Sequence, residues 1–185
     1  MKIHNIIAYS KDGNLGMAYN EAITMVGESD WVCFLDHDAM FTTTDWYSQL
    51  YEILEANPQY GLFACMTNRI FMYYQKFKEI SEHNHDIKYH RNFGKHIQTQ
   101  YRTNVMDITQ QSSLSGVLML ISKKTWNTVG GFKDGFLGVD NDMHKKCTKN
   151  NINVGLMTGV YVYHWYRGDG DMTHVKIAET KVKNK

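Results

Sequence analysis

Proline is almost absent from this chain: Pro58 is the only one in 185 residues. Proline-rich linkers and extended polyproline segments are thereby excluded, and the single proline becomes a boundary marker. Cysteine is scarce as well. Cys33, Cys65 and Cys147 are odd in number, far apart and without a CxxC pair, so neither a disulfide framework nor a structural zinc site is encoded. They read as buried thiols of a reducing compartment. No stretch approaches the roughly 18 to 20 consecutive apolar residues of a membrane span. The opening Met1-Lys2-Ile3-His4-Asn5-Ile6-Ile7 is too polar, and its apolar part too short, for a signal peptide. A soluble, cytoplasmic protein is the expectation. Charge of one sign is missing too: 20 Lys and Arg against 19 Asp and Glu leave a net charge of +1. That balance removes the basic footprint of a nucleic-acid binder, so nucleic acid is not an expected partner. An anionic ligand must be met by local charges.

What is present is a regular alternation. Hydrophobic residues make up 43% of the chain, enough for one well-buried core, and a single domain over residues 1–175 with a basic tail at 176–185 is expected. Apolar, β-rich runs at 3–9, 31–35, 60–66, 114–121 and 152–163 are the strand candidates. Between the first two, Leu15, Ala18, Tyr19, Ala22 and Val26 recur at helical spacing up to Gly27. A second helix starts after Thr44 and stops at Asn57-Pro58, because proline disfavours helix in the residue before it. Ser122 caps a short helix through Val129, with Gly130-Gly131 as its left-handed exit, and Asp140 caps another reaching about Asn150. Strands alternating with helices predict a three-layer α/β sheet. Residues 76–104, rich in His, Lys, Arg and Tyr, show no clean period and read as a helix-plus-loop excursion. The spacings of His83, His85, His90 and His96 fit no standard metal set and read as a solvated or acceptor-facing loop.

The chemistry concentrates where Trp31-Val32-Cys33-Phe34-Leu35 runs into Asp36-His37-Asp38. The carboxyl edge of such a sheet is where ligands bind. Two carboxylates one residue apart repel each other unless a cation compensates, which points to bound Mg²⁺ or Mn²⁺ bridging diphosphate oxygens. On spacing alone, capping of the following turn explains the pair equally well.

Asn14-Leu15-Gly16-Met17-Ala18-Tyr19-Asn20, then Trp31 through Asp38, then Gly130-Gly131-Phe132 to Asp142, then Tyr161-Val162-Tyr163-His164-Trp165 resemble, in that order, the GT-A fold of family 2-like glycosyltransferases. The likeness covers most of residues 1–75 and 112–167. It implies a Rossmann-like sheet flanked by helices and transfer of a hexose from a nucleotide sugar, UDP being the commonest carrier, to a hydroxyl of a glycan or other acceptor. It puts Asp36 near the donor ribose and on the metal side, with Asp38 and His164 as metal ligands to Mn²⁺ or Mg²⁺. Asp140, with Asp142 as the alternative because Val139 stands where a Glu is common, is implied as the general base of an inverting reaction. Asn14 and Asn20 are implied donor contacts. Tyr9 and Ser10 are candidates to stack on and bond to the nucleobase, and Arg167 to pair with a phosphate.

The chain departs from that family in one respect: the first strand leads almost directly to Asn14, so an early βα unit with its base-reading aspartate is missing and the fold is N-terminally reduced. A retaining transferase, a non-catalytic nucleotide-sugar or glycan-binding module, and a metal-dependent nucleotidyltransferase or nuclease are the other readings. The last is disfavoured by the lack of a further acidic cluster beside Asp36 and Asp38.

Overall fold

The computed structural model describes residues 1–165, so Arg167 and the basic tail lie outside the described residues. Seven strands form one mixed sheet: β1 (Ile3–Ile6), β2 (Trp31–Leu35), β3 (Ala39–Phe41), β4 (Tyr60–Thr67), β5 (Val105–Asp107), β6 (Leu118–Ser122) and β7 (Asn153–His164). Their order is β1-β2-β6-β4-β7-β3, with β5 also paired to β7. β1 lies parallel to β2 and β4 parallel to β7, while β6 is antiparallel to both β2 and β4. It follows that β1, β2, β4 and β7 all point the same way and end on one edge.

Among the described residues five α-helices accompany the sheet: α1 (Leu15–Thr24), α2 (Trp46–Ala56), α3 (Ile87–Tyr101), α4 (Lys123–Val129) and α5 (Val139–Lys149). Alternate strand residues feed two cores, as the two-residue period of a strand requires. Val32 and Phe34 of β2 join residues of α1, α3, α4 and α5, whereas Cys33 and Leu35 join Leu50, Ile53 and Leu54 of α2. Helices therefore cover both faces, and the expected α/β class holds. Among the described residues no helix is long and apolar enough to cross a membrane. All three cysteines are buried and free.

Local rules explain most ends. The Ser122 hydroxyl accepts from the Thr125 amide at the start of α4, and Gly130 exits at φ 76°. α2 stops at Ala56, before Asn57-Pro58. Three expectations are corrected. β1 ends at Ile6 rather than at residue 9, so Tyr9 leaves the sheet. Gly138, in the left-handed region, is the N-cap of α5, and Asp140 lies inside its first turn. His90, expected in a solvated or acceptor-facing loop, is instead buried with Gly94, Ile97 and Gln98 on α3, the fifteen-residue helix of the expected helix-plus-loop excursion. A Cβ on Gly94 would stand 2.0 Å from Thr42 Oγ1, so the helix rests directly on the residues after β3.

β7 is irregular partway along. Its pairing with β4 jumps from Cys65–Met157 to Met66–Tyr161, leaving residues 158–160 unmatched. Met157 packs with the α2 core and Tyr161 with the opposite core, although in a regular strand residues four apart share a face.

His90 is fully buried, its Nε2 donating to the Asn84 carbonyl at 2.8 Å and its Nδ1 accepting from the Tyr161 hydroxyl at 2.7 Å. Both bonds suit the neutral ring, and burial lowers its pKa, as it does for His144. A base whose folded pKa is lowered leaves stability intact above the unfolded value of about 6.5 and removes it as pH falls through the lower folded value. Urea unfolding should therefore show the stability that His90 contributes, read as the difference between wild type and His90→Gln, to be smaller at about pH 5.5 than at about pH 7.5.

Candidate metal centre

The turn after β2 is held from both sides. The Asp36 amide donates to the Val117 carbonyl at 3.0 Å, and the Ala39 amide donates back to the Asp36 carbonyl at 3.1 Å. β3 then pairs Ala39 with His164, and the Trp165 amide donates to the Asp38 carbonyl at 2.9 Å. The acidic pair and the end of β7 are thus one hydrogen-bonded unit.

His164 is buried, with Nδ1 2.9 Å from the Arg69 carbonyl. A carbonyl only accepts, so Nδ1 carries the proton and Nε2 turns toward the acids, 3.2 Å from Asp38 Oδ1 and 3.9 Å from Asp36 Oδ2. The backbone of His164 is fixed as well: its amide donates to Asn68 Oδ1 at 2.7 Å, and its carbonyl accepts from Asn68 Nδ2 at 3.2 Å. One ligand atom from each of Asp36, Asp38 and His164 lies within 4.8 Å of the others. Facing two carboxylates, Nε2 either donates a proton to Asp38 or, with that proton gone, offers its lone pair to a cation shared with Asp36 and Asp38. The imidazole nitrogen and carboxylate oxygens suit Mn²⁺, and the outer Nδ1–carbonyl bond is the support that metal-ligating histidines characteristically have.

With no ion between them, these groups act on one another directly. Burial pushes the Asp36 carboxyl up to about 7, with His164 opposing the rise and Asp38 and Asp140 adding to it. For Asp38, burial raises the pKa, but the hydrogen bond and charge of His164 outweigh it and leave the group below its ordinary value. Burial also raises the pKa of Asp140 against the backbone amides that lower it. Burial raises the Tyr19 phenol too, helped by Asp36 and Asp140.

These groups line a cleft of about 930 Å³ at the strand ends. No lysine or arginine lines it among the described residues. A more open hollow of about 650 Å³ beside Asn57, Tyr101 and Asn104 is lined by no carboxylate or histidine.

Asp140 sits in the cleft with Oδ2 accepting from the Gly116 amide at 2.8 Å and Oδ1 from the Asn141 amide at 2.8 Å. A Cβ on Gly116 would stand 2.9 Å from Asp140 Cβ, so the close approach depends on that glycine. Asp142 is not among the cleft residues, and its Oδ2 lies 3.0 Å from Lys146 Nζ, one helical turn on. Tyr9, 84% exposed, and Ser10 stand at the cleft's β1 end; Tyr9 is not a buried strand-end tyrosine. The Ser10 hydroxyl accepts from the Asn14 amide at 2.7 Å.

Two expected donor contacts are otherwise engaged. Asn14 Oδ1 accepts from the amides of Met17 and Gly135, and the Gly16 amide donates to the Gly135 carbonyl, so these helix-start groups are occupied by the protein. Asn20 accepts from Trp126 Nε1 and the Phe132 amide and donates to the Phe132 carbonyl. It ties α1 to the loop after α4 and is absent from the cleft lining. Phe71 and Phe136, both exposed in the cleft, and the Gly116 amide escaped the sequence reading, because nothing local distinguishes an exposed aromatic at a loop.

No protein-family model matches this sequence, and no curated protein matches it. The site is read from its geometry.

The acids make two opposite predictions for stability. A carboxyl raised from 3.8 to about 7 contributes stability fully below about 3.8 and loses it as pH rises through about 7. At about pH 8, Asp36→Asn should therefore raise the Tm of the metal-free protein by a few degrees. Mn²⁺ at about a hundred times its Kd should raise the wild-type Tm by about 5–10 °C, and both Asp36→Asn and Asp38→Asn should abolish most of that rise in a thermal scan.

Proposed function

We propose that this chain is a reduced GT-A glycosyltransferase that transfers a hexose from a nucleotide sugar to an acceptor hydroxyl with inversion, Asp140 acting as general base. One observation carries the reading: Asp36, Asp38 and His164, from opposite ends of the chain, converge on one point of a cleft that also holds Asp140. A nucleoside diphosphate is anionic, and the described lining offers three carboxylates but no lysine or arginine. Mn²⁺ or Mg²⁺ held by Asp36, Asp38 and His164 would supply the positive charge that the leaving diphosphate needs.

The chain's own groups divide the remaining work. Asp36, at the end of β2, stands on the ribose side. Tyr9 offers an exposed ring to the nucleobase. Asp140 takes the proton of the acceptor hydroxyl as that oxygen bonds to the anomeric carbon, and the bond from that carbon to the diphosphate breaks with its electron pair on the leaving group. Burial makes the Asp140 carboxylate a stronger base, and its two backbone amide bonds hold it in place. The same two bonds favour a second reading, in which Asp140 is a structural brace and the protein binds a nucleotide sugar without turning it over.

A donor panel with Mn²⁺ separates the readings. Under the first, Asp140→Asn should lower kcat by about 10²–10⁴-fold while calorimetry gives an unchanged donor Kd. Donor binding without transfer or nucleotide release in the folded wild type supports the binding module. Turnover that survives Asp140→Asn, with NMR showing the anomeric configuration kept, supports a retaining enzyme.

Tyr9, 84% exposed at the edge of the cleft, offers the nucleobase a ring face for stacking. Stacking tolerates any base. UDP-, GDP- and TDP-linked forms of one sugar should differ in Kd by less than about tenfold, and Tyr9→Ala should weaken all three alike.

A further inference from the structure

The strand order sets out the cleft from one end to the other. β1 ends toward Tyr9, β2 at Asp36, β4 toward Ile70 and Phe71, and β7 at His164 and Trp165, with Gly116 and Val117 leading into β6 between β2 and β4. Asp36, and Asp140 on the Gly116 amide, therefore occupy the middle, and His164 reaches toward Asp36 and Asp38 from β7. Tyr9 flanks them on one side. The other side ends in Phe71, 81% exposed, and Trp165, 45% exposed. Large aromatic faces left open beside a cleft mark a ligand surface.

Trp165 is also braced. Its ring packs against His85 with centroids 4.5 Å apart and planes 37° apart. His85 Nδ1 is 2.9 Å from the Tyr163 hydroxyl, and the Tyr163 ring packs at 4.5 Å on His90. His90 is anchored to Asn84 and Tyr161. The excursion before α3 thus buttresses alternate β7 aromatics up to the mouth of the cleft.

A ligand for this side must present an apolar face to two rings and hydroxyls to nearby carboxylates. An anionic group finds no lysine or arginine among the described lining residues here. A neutral pyranose meets both demands: its C–H face stacks on an aromatic ring while its rim hydroxyls reach acceptors. Building on the transferase reading above, we propose that Phe71 and Trp165 form the acceptor subsite, taking the C–H face of a neutral sugar ring. The attacking hydroxyl then turns toward Asp140, and His85 is the positioning residue for Trp165.

Saturation-transfer NMR of the metal-free protein with a panel of neutral hexose and N-acetylhexosamine oligosaccharides tests the subsite without requiring turnover. For an oligosaccharide bound by the wild type, Trp165→Ala and Phe71→Ala should each raise Kd by about tenfold, with Mn²⁺ and nucleotide-sugar affinities unchanged. In transfer assays His85→Ala should raise acceptor KM about three- to tenfold at unchanged kcat, and His85→Phe should restore it by keeping the stacked ring. Absence of binding by any of these oligosaccharides overturns the proposal. So does unaltered oligosaccharide binding in both alanine variants, or a donor Kd that rises by the same factor, which would put the nucleobase on these rings. Ring-dependent oligosaccharide binding in a protein that turns over no nucleotide sugar would uphold the sugar subsite and sink the transferase reading, so the two failures are distinguishable.

Discussion

The parallel pairing of β7 with β4 holds the cleft together. It carries His164 to the edge where β2 delivers Asp36, with β6 packed antiparallel between β2 and β4. The three unmatched residues at 158–160 reverse the facing of β7 partway along. Without that reversal Tyr161 would point toward α2, and His90 would lose the hydroxyl it accepts from. The bulge is fixed in place: Gln49 donates to the Gly159 carbonyl at 2.9 Å, and a Cβ on Gly159 would stand 2.5 Å from the Tyr101 carbonyl oxygen. One backbone irregularity therefore sets both the buttress and the face that the strand presents at its end.

The centre of the cleft is arranged against stability. Asp36, Asp38 and Asp140 crowd a partly buried space where like charges raise one another's cost. A fold selected for stability alone would place an amide or an apolar residue at one of these positions. That kind of conflict is the mark of a functional site. It differs from the two core faces, where Phe34, Phe63 and their neighbours are fully buried and every local preference agrees with the packing.

How much was legible in the sequence follows from which interactions are local. β2 and the start of α4 were readable because a continuous apolar run and a Ser cap with a Gly exit are nearest-neighbour signals. The bounds and buried face of α3 were hidden because that face has only one strong apolar residue, Ile97, beside His90, Gly94 and Gln98, and hydropathy counts two of those as surface. β3 and β5 are three-residue edge strands whose existence depends on β7 beside them. The acidic pair was visible as a pattern, but its meaning depended on His164. Asn14 caps α1 locally through the Met17 amide, but its bond to the Gly135 amide and those of Asn20 to Phe132 lie more than a hundred residues away in sequence, where no local rule reaches. Likewise the contact of His85 with Trp165 joins a polar excursion to the last strand, and only the fold makes them neighbours.

The distance along the chain between the ligands also sets the order of events during folding. In a zinc finger the ligands lie close in sequence and the ion organises the chain. Here Asp36 follows the second strand and His164 ends the seventh, so the ligand set does not exist until nearly the whole sheet has paired. Such non-local pairing is slow to form, because the loop must close before any contact rewards it. An ion held here would therefore arrive late, at a finished scaffold. A nascent or half-folded chain would have no cage with which to trap the wrong metal, and a chelator would strip such an ion and leave the fold standing.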